Sequence, residues 1–132
     1  MPLADAAHIL IVDDSATTRA VIRRTLSIAG VRAAALYEAA SGQAALDVLR
    51  ANRVDLILAD LHMPEMDGVE MSRRVLADPR TRSIPIVVVS AEPSDARVAE
   101  LRAMGVSGFL RKPFTPEQVR DAVTKVMEAC HA

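Results

Sequence analysis

Five short apolar runs alternate with five stretches that carry helix-start signals, and this alternation limits the possible folds more than any other feature of the chain. Three of the runs are plain, at residues 9–12, 56–59 and 86–89; a fourth, at 108–110, is weaker, and the fifth, at 33–37, is rich in alanine. Runs this short, bounded by turn residues, suit strands buried on both faces. Ser15 can cap a helix carrying Val21, Ile22, Thr25, Leu26 and Ala29, which Gly30 stops. Ser41 can cap a second, with Ala45, Leu46, Val48 and Leu49 on it and Asn52 beyond its end. Asp67 and Glu70 have capping-box spacing ahead of Met71 and Val75, and Pro79 closes that segment. Ser94 opens a fourth helix with Val98, Leu101 and Met104 before Gly105. Thr115-Pro116-Glu117-Gln118 is a capping box with proline at the first helical position, followed by Val119, Ala122, Val123, Val126, Met127 and Cys130 at helical spacing. Strand and helix in strict alternation predict an α/β domain whose parallel sheet is covered on both faces.

The chain has 132 residues, the size of one domain, and the reading is a single domain over 1–132 with no output domain attached. Half of the residues are hydrophobic, enough for a core without disulfides, and the lone Cys130 fits a reducing compartment. Net charge is −1 and the 16 basic residues are scattered, so neither a nucleic-acid footprint nor a membrane footprint is visible. With no signal peptide and no window near the ~20 apolar residues of a membrane span, a soluble cytoplasmic protein is expected. His8, His62 and His131 lack metal-ligand spacing, which speaks against zinc.

Polar residues follow four of the apolar runs: Asp13-Asp14, Asp60, Ser90 and Lys112. In an open parallel sheet the C-terminal ends of all strands share one edge, where ligands bind, so these residues should converge. Three carboxylates that close must be protonated, paired with a cation, or splayed apart. A hard divalent cation is the natural partner; Mg²⁺ takes one or two carboxylates with waters and phosphate oxygens. Lys112 offers a compact positive charge for a phosphoryl oxygen and Ser90 a hydroxyl donor, which together make a phosphoryl-transfer kit. A carboxylate can itself be the nucleophile and form an aspartyl-phosphate, and Asp60 is the candidate.

From about His8 to Met127 the sequence resembles the CheY-like receiver domains of two-component response regulators. The resemblance rests on ILIVDDSATTR at the first run, DLILADLHMPEMDG around Asp60, VVVSA at Ser90 and FLRKPF at Lys112. It implies a flavodoxin-like doubly wound (βα)5 domain with strand order 2-1-3-4-5, an order that CheY itself exemplifies. It implies that Asp60 accepts a phosphoryl group from a histidine kinase or histidine phosphotransfer protein. Asp14 and Asp60 would ligate Mg²⁺ directly, Asp13 largely through water, and the backbone carbonyl of His62 would supply a further ligand. Lys112 would hold a phosphoryl oxygen, Ser90 would move to hydrogen-bond the phosphoryl group, and Phe109 would follow it inward. Lys112-Pro113 matches the family's cis peptide. His62 and Glu92 would flank the attack path and tune loss of the phosphoryl group. The responding face would be that of the fourth helix, fifth strand and fifth helix, roughly residues 94–125, binding a protein target not named by the sequence. The DDS…R stretch is similar to chemotaxis-type members, although many of those carry Tyr where this chain has Phe109.

Plainer readings stand beside these. Asp14 alone would cap the first helix, Ser90 alone would be a strand-end hydroxyl, and Phe109 is as readily a core aromatic as a switch. Met63, Met66 and Met71 read as packing. A scaffold with the same fold but no phosphorylation is one rival function. A haloacid-dehalogenase-like phosphatase is another, but it wants a second acid two residues after its nucleophile, where this chain has Ser15 or His62. Nucleotide binding lacks a glycine-rich loop after the first run.

Overall fold

The computed structural model describes residues 7–63, 65–91 and 94–131, without the side chains of Cys130 and His131, so the expectations for Glu92 and for the Cys130 side chain lie outside the described part. Strands β1 (His8–Val12), β2 (Ala35–Ala39), β3 (Leu56–Asp60), β4 (Ile86–Ser90) and β5 (Gly108–Arg111) alternate with helices α1 (Ala16–Ile28), α2 (Gly42–Ala51), α3 (Gly68–Ala77), α4 (Asp95–Met104) and α5 (Pro116–His131). All strand pairings are parallel, in the order β2-β1-β3-β4-β5. This is the doubly wound, flavodoxin-like α/β architecture.

The layering follows from the side-chain period of two along each strand. Leu10, Val12, Ile57, Ala59, Ile86 and Val88 point into one core with Met71, Val75 and Leu101 from α3 and α4. Their neighbours Ile9, Ile11, Leu56, Leu58, Val87 and Val89 point into a second core with Ile22 and Leu26 of α1 and Val119, Val123 and Met127 of α5. Fully burying each Leu, Ile or Val stabilises the fold by about 1.5–3 kcal/mol, so β1, β3 and β4 are the most firmly placed elements. Among the described residues no helix is long and apolar enough to cross a membrane.

Two expectations from the sequence need correction. The second strand begins at Ala35 rather than at residue 33. Val31 is already buried, and the Ala34 N–H donates to the Ala7 carbonyl at 2.8 Å, so the ladder starts only where Ala35 meets His8. A run of alanines carries no alternation from which to read that register. Val21, expected on the core face of α1, is 52% exposed. It lies about 100° round the helix from Ile22 and further from Leu26, the two residues that face the sheet.

The caps are local and specific. Ser15, Ser41, Asp67 and Ser94 each accept the backbone N–H three residues on, from Thr18, Ala44, Glu70 and Arg97. Thr115 and Gln118 form the full reciprocal box, at 2.9 and 3.1 Å. The pair at α3 is only half a box, because the Glu70 carboxylate pairs with Arg73 and Arg74 instead. Gly105, at φ 110°, ends α4 in the left-handed conformation that favours glycine.

Gly68 is needed for a different reason. A Cβ there would lie 2.3 Å from the Asp60 carbonyl oxygen and 2.9 Å from the Leu61 Cα, both backbone atoms. The Gly68 N–H also donates to the Leu61 carbonyl at 2.9 Å, so α3 starts in direct contact with the end of β3. Gly68→Ala is therefore expected to cost about 1–3 kcal/mol through overpacking, read as a lower thermal midpoint by circular dichroism. A midpoint equal to the parent's would contradict this close approach.

Candidate functional site

Three strand ends build the site. Asp13 is the first residue past β1, and its N–H donates to the Ala39 carbonyl at 3.0 Å, which carries the strand ladder one step beyond the strand. Asp60 is the last residue of β3, adjacent to β1, rather than the first residue beyond it. Carboxylate oxygens of Asp13, Asp14 and Asp60 all lie within 4.8 Å of one another. Asp13 and Asp60 are buried while Asp14 is exposed, so the cluster opens to solvent on one side. Lys112, the first residue past β5, donates its N–H to the Ser90 carbonyl at 2.9 Å. Its Nζ reaches 3.5 Å from Asp13 Oδ2 and 3.8 Å from Asp60 Oδ1. Of the three ways to hold the carboxylates together, pairing with a cation is partly met by the protein's own lysine. The donor set is all oxygen, which suits a hard metal ion, and these three residues can hold one.

Other residues singled out in the sequence fall around this cluster. Ser90 ends β4, fully buried, and its Oγ has no hydrogen-bond partner. A buried hydroxyl left unsatisfied costs about 1–3 kcal/mol. The Lys112–Pro113 peptide is cis. His62 is exposed just beyond Asp60. Phe109 lies lower in the sheet, opposite Val88, half-buried against the α4 side of the core, with the Arg102 guanidinium 5.1 Å from its ring centre. Asp14 does not cap α1: Ser15 does, and Asp13 Oδ1 accepts the Ser15 N–H at 2.8 Å. Met63 and Met71 are core residues and Met66 packs beside them.

Two contributors were not recognised from the sequence. Gly68 was visible only as part of the Asp67-Gly68 helix start that ends the DLHMPEMDG motif, because its contact with Asp60 depends on how α3 returns to the strand. Arg19 donates from Nη1 to the Asp13 carbonyl at 2.6 Å and from Nε to Glu38 at 3.0 Å. The available signal was an arginine six residues after the first acid of DDS…R, one helical turn into α1.

Burial raises the Asp60 carboxyl above its ordinary value of 3.8. Lys112 opposes the rise, Asp13 adds to it, and the N–H groups of His62 and Leu61 oppose it again. The folded protein therefore binds a proton at Asp60 more tightly than the unfolded chain does. Stability from this group is present below 3.8 and is lost as pH rises through the elevated folded value. At neutral pH the ionised carboxylate is a net cost to the metal-free fold. Asp60→Asn is expected to raise the thermal midpoint of metal-free protein at neutral pH, with the advantage fading as pH falls to about 3.8. A variant equally or less stable at neutral pH would show that the carboxylate is not strained by its surroundings.

Comparison with known proteins agrees with this geometry. Residues 9–124 match the family described as response regulator receiver domain. The chain is similar to the chemotaxis protein CheY of Pseudomonas aeruginosa, 36% identical over 120 residues, covering 91% of this chain and 95% of that protein. It is similar to CheY1 of Helicobacter pylori, also 36% identical, over 90% of this chain and 95% of that protein. Among solved structures, Vibrio cholerae CheY4 superposes with a TM-score of 0.82 at 34% identity, covering 92% of this chain and 98% of that one. The receiver domain of a histidine kinase from Syntrophus aciditrophicus superposes at 0.81 with 28% identity, covering 94% and 92%. A five-stranded sheet in the order expected, an acidic cluster at its C-terminal edge and a family match across most of its length lead to one conclusion: this chain belongs to the response regulator receiver domains.

Proposed function

We infer that Asp60 is the phosphoacceptor of this receiver, supplied by a histidine kinase or a histidine phosphotransfer protein. The observation that carries the reading is the approach of three carboxylates within 4.8 Å, with Lys112 Nζ 3.5 and 3.8 Å from two of them. Asp13, Asp14 and Asp60, with the His62 backbone carbonyl, would hold Mg²⁺. When bound, the ion neutralises the cluster and draws charge from phosphoryl oxygens. An Asp60 carboxylate oxygen attacks phosphorus as the bond to the donor's imidazole nitrogen breaks, and the leaving nitrogen keeps that electron pair. Lys112 exchanges part of its pairing with Asp13 for a phosphoryl oxygen. The Ser90 hydroxyl, without a partner in this structure, donates to another. As Ser90 shifts, Phe109 is drawn inward from beneath Arg102, which alters the surface formed by α4, β5 and α5. That surface binds a protein target, and neither nucleic acid nor membrane is required.

The family implies a cognate histidine kinase. Similarity to CheY proteins across nearly their whole length supports a receiver that acts in chemotaxis signalling. The phenylalanine at 109 means that any relay here works through the position of the ring and not through a phenolic hydroxyl.

Intact mass spectrometry after incubation with acetyl phosphate and Mg²⁺ tests the reading. One labile phosphoryl adduct is expected, absent in Asp60→Asn and absent with EDTA. Lys112→Ala should slow its formation by roughly tenfold or more, as for loss of a group that stabilises transition-state charge. An adduct that survives in Asp60→Asn, or no adduct with either acetyl phosphate or a phosphohistidine donor, would overturn it.

A further inference from the structure

We propose that Arg19 is a positioning residue for the cation site, acting through the backbone that carries Asp13 and Asp14; this rests on the metal reading above. The Asp13 carbonyl falls between two regular elements. It lies past the last paired residue of β1 and ahead of Ser15, the cap of α1, and among the described residues no backbone N–H outside the regular ladders and helices donates to it. Arg19 Nη1 does so at 2.6 Å. Its main chain holds the same turn from the other side, the Arg19 N–H donating to the Ser15 carbonyl at 3.0 Å. One residue thus grips both ends of the segment Asp13-Asp14-Ser15.

That grip sets the acids. The peptide joining Asp13 to Asp14 is planar, so fixing its oxygen fixes the direction in which the chain leaves Asp13 and enters Asp14. The remaining bonds at Asp13 complete the restraint: its N–H on Ala39, Oδ1 accepting from Ser15, and Oδ2 beside Lys112. Asp14, exposed and free of the cap role, takes its placement from that peptide plane.

The arginine is itself anchored. Arg19 Nε donates to Glu38 at 3.0 Å, and Arg23 pairs with the same carboxylate. Glu38 is on β2 opposite Ile11, so the edge strand, α1 and the site loop are tied at one point. The Arg19 side chain is only 16% exposed. A guanidinium can donate from Nε and Nη1 to two acceptors at once, whereas a lysine has a single nitrogen to offer. Glu38 also offsets part of the positive charge of Arg19 and Arg23 that would otherwise stand behind a cation site.

The sign of the effect separates this role from simple electrostatics. Removing a positive charge near a cation site should on charge grounds alone tighten cation binding, and Arg24→Ala, at an exposed position of α1, is the control that should not weaken it. Arg19→Ala is expected instead to weaken Mg²⁺ binding by about tenfold, the low end for loss of a group that orients a metal ligand. Calorimetric titration of the whole chain with Mg²⁺ measures this directly. Arg19→Lys should fail to restore affinity, and Glu38→Gln should lower it in the same direction. The Mg²⁺ concentration for half-maximal phosphoryl uptake from acetyl phosphate should rise in Arg19→Ala by the same roughly tenfold factor. Affinity equal to or tighter than the parent's in Arg19→Ala overturns the proposal. If that variant is unfolded at the assay temperature, unchanged affinity in both Arg19→Lys and Glu38→Gln overturns it equally. A parent chain that binds no Mg²⁺ would fell the metal reading itself, and this inference with it.

Discussion

The structure is organised around a repulsion. Unit charges 4 Å apart repel by about 4 kcal/mol at an effective dielectric of 20, and three carboxylates meet here at that scale. The fold must hold them against it. It does so by hanging Asp13 and Asp60 from adjacent strands that are buried on both faces, so that neither can retreat without disturbing the core. Lys112 then arrives from the far edge of the sheet and pairs with both buried acids. Three acids face one lysine, so a divalent cation entering the cluster, or a proton binding Asp60, changes its energy sharply. That sensitivity is what a signalling site requires.

Topology explains why residues far apart in sequence meet. The chain moves from β1 outward to β2 and then crosses back to lay β3 on the other side of β1. Loops on either side of this reversal diverge and leave a crevice at the C-terminal edge. Asp13 and Asp60 stand at its two lips. The strands that follow add Ser90 and Lys112 in order, each near the end of its strand, so one edge of the sheet collects an acceptor, a hydroxyl and an ammonium. The same winding separates the helices, with α1 and α5 over one face and α2, α3 and α4 over the other.

Much of this was legible in the sequence because the signals are local. Apolar runs such as 86–89, serine caps at 15, 41 and 94, and the Thr115–Gln118 box need only near neighbours to be read, and each lies where the pattern placed it. The convergence of Asp13, Asp60 and Lys112 was legible once a parallel sheet was accepted, since strand ends share an edge. What escaped was non-local. The onset of β2 depends on its pairing with β1, which a run of alanines does not announce. Val21 looked like a core residue by type, but the helix turns it to solvent. The demand for glycine at 68 comes from the Asp60 carbonyl, and the task of Arg19 comes from a carbonyl six residues earlier and an acid on another strand.

The central claim is that these strand ends form one site that seats a phosphoryl group on Asp60 with a divalent cation beside it. Fluorine NMR of the protein with Mg²⁺ and beryllofluoride, a mimic of the acyl-bound phosphoryl group, tests it most directly. The account predicts resonances from protein-bound fluoride that require Mg²⁺ and vanish in Asp60→Asn. Their absence from the parent protein, or their persistence in the variant, would contradict it.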